Sequence, residues 1–323
     1  MDHSNEKLIS LLEGIMYIRR VEEKICELYS QQEMRCPVHI SIGQEATAVG
    51  VCAALDKKDM VFSNHRSHGH YLAKEGDLNK FFAELYGKNT GCTKGMGGSM
   101  HLIDLSVNFM GATPIVGSII PVAVGAAWSA QIKKTSQIVV VFIGDGAVEE
   151  GVFHESINFA KLKNLPIIFF CENNLYSVYT HLHDRQPDRK ISTMVAGHDI
   201  KCYEVDGNDV VAVNNIVAEV MEEVRHCHGP VFIEAQTYRW REHCGPNYDN
   251  HIGYRTEEEF QKWKLKDPVE NCKQKLLKQG IISNENLRVI EQKIDQKINV
   301  AVAFAQSSNF PDKNQLGKLV YAD

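Results

Sequence analysis

The stretch QIVVVFIGDGAVEEG at residues 137–151 decides how this chain reads, together with LPIIFFCENNLY at 165–176. Each contains a continuous β-branched and aromatic run, the pattern of a strand buried on both faces of a sheet. Between the two runs, EEGVFHESINFAKLKN (149–164) repeats its apolar residues with helical period. Strand, helix and strand in this order predict a β-α-β unit with parallel strands and a right-handed crossover. A further round follows: CYEVDG (202–207), the helical DVVAVNNIVAEVMEEVRHC (209–227) and the strand PVFIEAQTYRW (230–240).

In a parallel sheet, ligands collect beyond the carboxyl ends of the strands. Asp145 and the pair Asn173–Asn174 end two of these runs. A carboxylate and an amide oxygen are hard ligands, suited to Mg²⁺ or Ca²⁺ rather than to zinc. The glycines on either side of Asp145 let a diphosphate approach the backbone, and the helix that follows would point free N–H groups toward it. Together they imply a metal-bridged diphosphate. A lone GDG reads more simply as a strand-end acid capping a helix; the asparagine pair one crossover later favours the ligand.

The rest of the chain supplies a frame. Leu8, Leu11, Leu12, Ile15 and Ile18 form one stripe of an N-terminal amphipathic helix. Helical periods dominate to about Tyr86, through GQEATAVGVCAAL, HYLAKEG and DLNKFFAELYG, with Asp77 a predicted N-cap. Gly87 and the KNTGCTKGMGGSMHL that follows it then place five glycines from Gly87 to Gly98 (87, 91, 95, 97 and 98), a loop able to approach a ligand or simply to turn. After Trp240, REHCGPNYDNHIGYRTEEE reads as a long polar loop and the remainder as helices, notably NENLRVIEQKIDQKINVAVAFAQ. No repeat or linker divides the chain, so residues 1–323 read as a single domain.

Composition excludes some functions. A formal charge of -6 offers no basic stripe for nucleic acid, and an anionic ligand would need local donors to reverse the field. Nine scattered cysteines without a Cys-x-x-Cys pair read as reduced core thiols, not as a zinc site or disulfide framework. The N-terminus lacks the apolar run of a signal peptide, and SIIPVAVGAAWSA (118–130) falls short of the roughly 20 residues that span a bilayer. These features lead to the expectation of a cytoplasmic protein.

GDG through NN resembles the thiamine diphosphate signature, and the resemblance extends along most of the chain: IGQEA, HRSHGH, GCTKGMGGSMH, IVGSIIPVAVGAA and GYRTEEE. The order and wording are similar to the alpha subunit of the thiamine diphosphate-dependent 2-oxo acid dehydrogenase decarboxylating component, of pyruvate or acetoin dehydrogenase type. The fold implied is the α/β thiamine diphosphate-binding fold, a mostly parallel sheet flanked by helices with N-terminal and C-terminal helical extensions. The resemblance implies that Asp145, Asn174 and the main-chain carbonyl of Tyr176 hold Mg²⁺, while Gly146 and Ala147 give backbone contacts to the diphosphate. Arg66 would meet a phosphate oxygen, with His65 beside it where tyrosine is common in the family. Ile115, Val116 and Gly117 would lie against the aminopyrimidine. His39 would face the substrate, and His101 would line the same cavity.

One departure stands out. The pyruvate type carries two histidines around a glycine after TYRY; here Arg241 replaces the first and His243 remains, in Tyr238-Arg239-Trp240-Arg241-Glu242-His243. Arg241 would bind diphosphate, and His243 would shuttle a proton or position the cofactor. The serine-rich regulatory stretch of the mitochondrial pyruvate type is replaced by CGPNYDNHI, and the acetoin type also has a Trp-Arg version of this loop. The family supplies the activating glutamate from a separate beta subunit, with two alpha and two beta chains, and passes its product to an acceptor such as a lipoyl-bearing acyltransferase. Glu45 of GQEA is the one tempting acid here, and it belongs to the alpha framework. A decarboxylase or carboligase subunit outside any dehydrogenase complex stays open as the alternative.

Other readings lack support in the residues. A haloacid-type phosphatase needs an Asp-x-Asp nucleophile before Gly144, and none is present. A purely regulatory cofactor-binding subunit fits poorly with an intact GDG–NN pair, Arg66 and His39. His65-x-x-His68-x-His70 has metal-like spacing but no cysteine pair or second histidine motif to complete a zinc site. Met96, Met100 and Met110 read as packing residues.

Overall fold

The two apolar runs form strands, as their patterning requires. In a computed structural model that describes residues 3–226 and 229–315, the sheet is built from β1 (Met60–Ser63), β2 (Phe109–Ala112), β3 (Val139–Gly144) and β4 (Ile167–Asn173). A small antiparallel pair, β5 (Tyr176–Ser177) and β6 (Thr180–His181), follows, and β7 (Lys201–Asp206) and β8 (Val231–Gln236) complete the main sheet. Its order is β2-β1-β3-β4-β8-β7, and every pairing in it is parallel. β3 and β4 pair in register from Val139–Ile167 to Gly144–Glu172, which sets the two polar tips side by side.

Successive side chains of these strands enter two different cores, as a period of two demands. Val140, Phe142, Ile168 and Phe170 pack with helices α1 (Asn5–Tyr29) and α2 (Glu45–Cys52). The short α3 (His68–Ala73) and α4 (Leu78–Leu85) lie on this side too. Val139, Val141, Ile143, Ile167 and Phe169 pack on the other face, against α5 (Ile119–Lys133) and α6 (Gly151–Leu162). Short helices α7 (Leu182–Arg185) and α8 (Ile191–Ala196) then lead to α9 (Val210–Arg225), which joins the first core. The C-terminal helices are α10 (Glu257–Lys264), α11 (Pro268–Lys278) and α12 (Asn284–Ser307); Arg20 of α1 ties to α12 through a two-pronged bond to Asp295 at 2.6 Å per contact. No helix among the described residues is long and apolar enough to cross a membrane.

Two features differ from the sequence reading. β1 lies in the section read as helical, and β2 in a later stretch for which no element was expected: four residues each are too few to display an alternation. All eight cysteines described are free; Cys52 and Cys171 are buried in the cores and five more are half-buried against them, but Cys244 is exposed and so is not a core thiol, and Cys227 lies outside the described residues. Asp77 caps α4 as expected, accepting from the backbone of Lys80 at 3.0 Å.

The glycine-rich loop wraps a buried side chain of the chain itself. Glu84 accepts backbone N–H bonds from Thr93, Gly95, Gly97 and Gly98 at 2.8, 2.9, 3.0 and 2.9 Å. Gly95 and Gly98 have φ of 74° and 65°, and a Cβ on Gly91 would lie 2.3 Å from the Glu84 carboxylate. Glu84→Gln puts an amide donor among these N–H groups and should cost about 3 kcal/mol. Urea denaturation checks it; a loss below about 1 kcal/mol would show that the carboxylate does not hold the loop.

Candidate active site

The strand tips open on one cavity of about 170 Å³. It is lined by His39, His65, Arg66, Ile115, Val116, Gly117, Asp145, Gly146, Ala147, Asn174, Tyr176 and His243. Chain order explains the convergence. Asn64–Arg66 leave β1, Thr113–Gly117 leave β2, Gly144–Ala147 leave β3, and Asn174–Tyr176 leave β4. A parallel bridge between His39 and Gly245 brings the late loop alongside, with Gly245 donating to the carbonyl of Val38 at 2.8 Å.

At the β3–β4 end the groups are oxygen ligands. The Asn174 amide oxygen accepts from the Tyr176 N–H at 3.3 Å, while its nitrogen donates to Gln44 at 3.3 Å, so the side chain has one fixed orientation. Asn173 turns away, donating to Glu234 at 2.8 Å. Asp145 is buried, and burial pushes its carboxyl above the ordinary range against the opposing pull of Arg185. Arg185 bridges Asp145 through one carboxylate oxygen and Glu149 through the other arm of its guanidinium. The carboxylate also meets the backbone N–H groups of its own residue and of Asn174, and it lines the cavity as a hard oxygen group of the kind that suits Mg²⁺. At Gly144 an added Cβ would meet nothing within 4 Å, which leaves open space beside the backbone.

At the other end the cavity holds a cation without a counter-ion. Arg66 is 4% exposed and donates to the carbonyls of Ile40 at 2.8 Å and His243 at 3.1 Å. Among the described residues no carboxylate lies within ion-pair distance of it. Burial, then the neighbouring Arg239, lowers its pKa to about 9. A buried charge left in this state is costly unless an anion completes the site. A hard-oxygen corner and an unneutralised guanidinium in one cavity together fit a metal-bound diphosphate.

Three imidazoles share the cavity. The ring centroids of His39, His65 and His243 are 4.8, 5.1 and 5.3 Å apart. Burial first and Arg66 second hold all three neutral, lowering them to about 2, 3 and 3 respectively. The His65-x-x-His68-x-His70 spacing does not make a cluster. His68 lies between Glu22 (3.0 Å) and Ser99 (2.6 Å), and His70 between Ser63 (2.8 Å) and Glu172 (3.3 Å).

Some expected residues lie elsewhere. The Arg241 guanidinium rests 3.8 Å over the Tyr248 ring and does not line the cavity. His101 is exposed and is likewise outside, whereas Met100, read as packing, lines it. Glu45 is fully buried against Arg19 at 2.5 Å and holds the Gly43 N–H at 3.1 Å, a framework role. The sequence reading missed Glu172, adjacent to the asparagine pair, and Gln44, inside GQEA; both line the cavity. It also missed Arg185, which no local pattern marks. The late loop is pinned by a buried Asp249 between Arg255 and Arg239, the latter at 3.7 Å.

Residues 13–314 match the family profile described as dehydrogenase E1 component. The chain is 38% identical over 323 residues to the alpha subunit of acetoin:2,6-dichlorophenolindophenol oxidoreductase of Bacillus subtilis (strain 168), covering 98% of this chain and 94% of that one. It is 35% identical over 327 residues to the pyruvate dehydrogenase E1 component subunit alpha of Porphyra purpurea, covering 99% and 94%. The Rickettsia typhi protein of the same name is 34% identical over 316 residues, covering 98% and 96%.

The neutral histidines set a pH dependence. An unfolded histidine takes up a proton near pH 6.5, whereas the folded ring at His39 stays neutral down to about 2. The unfolded state therefore binds more protons below pH 6.5, and stability is lost as pH falls through that window. One such ring contributes at most about 1.4 kcal/mol per pH unit. In His39→Asn the loss of stability between pH 6 and pH 5, read from urea midpoints, should be shallower by about 1 kcal/mol. Equal slopes in the two proteins would mean that the ring is not held neutral.

Proposed function

The chain belongs to the dehydrogenase E1 component family, and we propose that it is the alpha subunit of a thiamine diphosphate-dependent dehydrogenase that cleaves a pyruvate-like 2-oxo acid or acetoin and passes the acyl or hydroxyalkyl unit to an acceptor. The observation that carries this is the pairing of Arg66, buried without a counter-ion, with the oxygen corner of Asp145 and Asn174 in the same cavity. One end calls for an anion and the other for a hard cation. A diphosphate bridged by Mg²⁺ satisfies both.

In this reading Asp145, the Asn174 amide and the Tyr176 carbonyl hold Mg²⁺. Gly146 and Ala147 present their backbones to the diphosphate, with Arg66 and His65 beyond it. Ile115 and Val116 support the ring system. When bound, the cofactor supplies the nucleophilic carbon and the electron sink for carbon–carbon cleavage. His39 and His243, held neutral, orient the substrate carbonyl and move a proton at its oxygen. Arg241 stays with the loop on Tyr248 rather than with the diphosphate.

A beta subunit completes the unit. No acid of this chain stands free in the cavity to activate the aminopyrimidine among the described residues: Asp145 is bonded to Arg185, and Glu172 to Thr47 and His70. The cavity mouth and the outer side of α5 are apolar and exposed at Ile115, Val116, Val122, Trp128 and Ile132, which supports burial against a partner. We place the chain as a single domain in a cytoplasmic assembly of two alpha and two beta chains, with a lipoyl-bearing acyltransferase as acceptor.

Two outcomes test this. Asp145→Asn should lower Mg²⁺-dependent thiamine diphosphate affinity at least about tenfold, or about 1.4 kcal/mol, by calorimetric titration of the assembled complex. Affinity within about twofold of the parent would remove Asp145 from the metal site. The chain purified alone should give no dye reduction with pyruvate, branched 2-oxo acids or acetoin, and a co-expressed beta chain should restore it. Sustained turnover by the single chain would overturn the subunit reading.

A further inference from the structure

The histidine trio has a second chemistry besides contact with substrate. One ring nitrogen from each of His39, His65 and His243 lies within 4.8 Å of the others. Three separate segments supply them: the turn before α2, the exit from β1 and the late loop. Those segments are fastened to one another. Arg66, next to His65, donates to the carbonyls of Ile40 and of His243 itself, and Gly245 donates to Val38. The cluster is therefore held by backbone bonds and does not depend on a ligand to form.

The rings themselves are uncommitted. His39 Nδ1 is buried without a hydrogen-bond partner, and neither His65 nor His243 makes a ring hydrogen bond among the described residues. Neutral imidazoles with free nitrogens are ligands for borderline transition metals and poor ligands for Mg²⁺. Zinc–nitrogen bonds of about 2.0–2.1 Å place tetrahedral nitrogens roughly 3.4 Å apart. Rotation of the rings by about 1 Å toward the cavity centre brings the trio to that spacing.

We propose that His39, His65 and His243 form a three-imidazole site for a divalent transition metal of the zinc class, distinct from the oxygen site at Asp145 and Asn174, and that a metal bound there shuts out substrate. The fourth position would be water, as in zinc centres with three protein ligands. Dedicated centres hold each ligand's second ring nitrogen with a carboxylate or carbonyl, and this trio has no such support. Arg66 beside it also opposes a second positive charge. The site is therefore inhibitory and reversible, a surface built for a carbonyl substrate that a metal invades. Metal binding does not depend on the proposed function; only the exclusion of substrate does.

Cobalt(II) is the probe, added to the full chain in excess Mg²⁺ and without thiamine diphosphate. A saturable visible band of one tetrahedral cobalt per chain, displaced by Zn²⁺, is expected. His65→Tyr and His243→Ala should each weaken binding at least about tenfold, or about 1.4 kcal/mol, and Asp145→Asn should leave it unchanged. Absence of a saturable band would overturn the proposal, as would a band that survives both histidine substitutions or vanishes in Asp145→Asn. In the assembled enzyme, zinc inhibition should be competitive with the carbonyl substrate, and with the cofactor as well to the extent that His65 contacts the diphosphate. Competition with the cofactor alone, with the cobalt band intact, would fault the placing of substrate at the trio while leaving the metal site standing.

Discussion

The in-register pairing of β3 with β4 is the constraint on which the site depends. Both strands are buried on both faces, so their side chains are committed to two cores and their backbones to neighbouring strands. Polar groups can emerge only where the strands end. The Gly144–Glu172 register fixes the distance between those ends, and the residues just beyond them are Asp145 on one and Asn173–Asn174 on the other. A slip of one residue would reverse the facing of every side chain on the strand, including the alternation that separates Phe142 from Ile143. The oxygen-rich corner at Asp145 and Asn174 is thus specified by hydrophobic patterning some residues away from it.

Charge explains how such a cavity is kept ready for ligands. Asp145 is balanced by Arg185, so the acid corner carries its own cation. Arg66 has no such balance and lives on two carbonyls, each from a different part of the wall. Those carbonyls belong to Ile40, beside His39, and to His243. One guanidinium therefore ties the backbone of the histidine wall together, and its positive field adds to burial, the larger cause, in keeping the histidines neutral. Positioning and part of the protonation bias share one residue here.

What was legible in the sequence divides along the line between local pattern and tertiary contact. Strands β3, β4, β7 and β8 and the helices between them announce themselves by period, and Asp145 and Asn174 by their place at strand ends. β1 and β2 do not, because four residues show no alternation. The glycines of 87–98 look like a phosphate loop because the sequence displays freedom of backbone but not the Glu84 carboxylate that uses it. The GQEA, HRSHGH and WREH segments each display a histidine or an acid, but only tertiary contact sorts them. His68 and His70, close to His65 in sequence, go to buried carboxylates, while distant His39 and His243 join it.

The same sorting separates Arg241 from the site. A basic residue at a position where the pyruvate type has histidine looks like a diphosphate contact when read along the chain. In the fold, Asp249 draws Arg239 and Arg255 inward, and both of these bond the Arg241 carbonyl. With its backbone fixed in that way, the Arg241 side chain lies over the Tyr248 ring and not among the cavity-lining residues. The loop thus spends its buried charges on its own structure and offers His243 alone to the cavity. That leaves Arg66 as the one guanidinium among the lining residues, beside a wall of three neutral imidazoles.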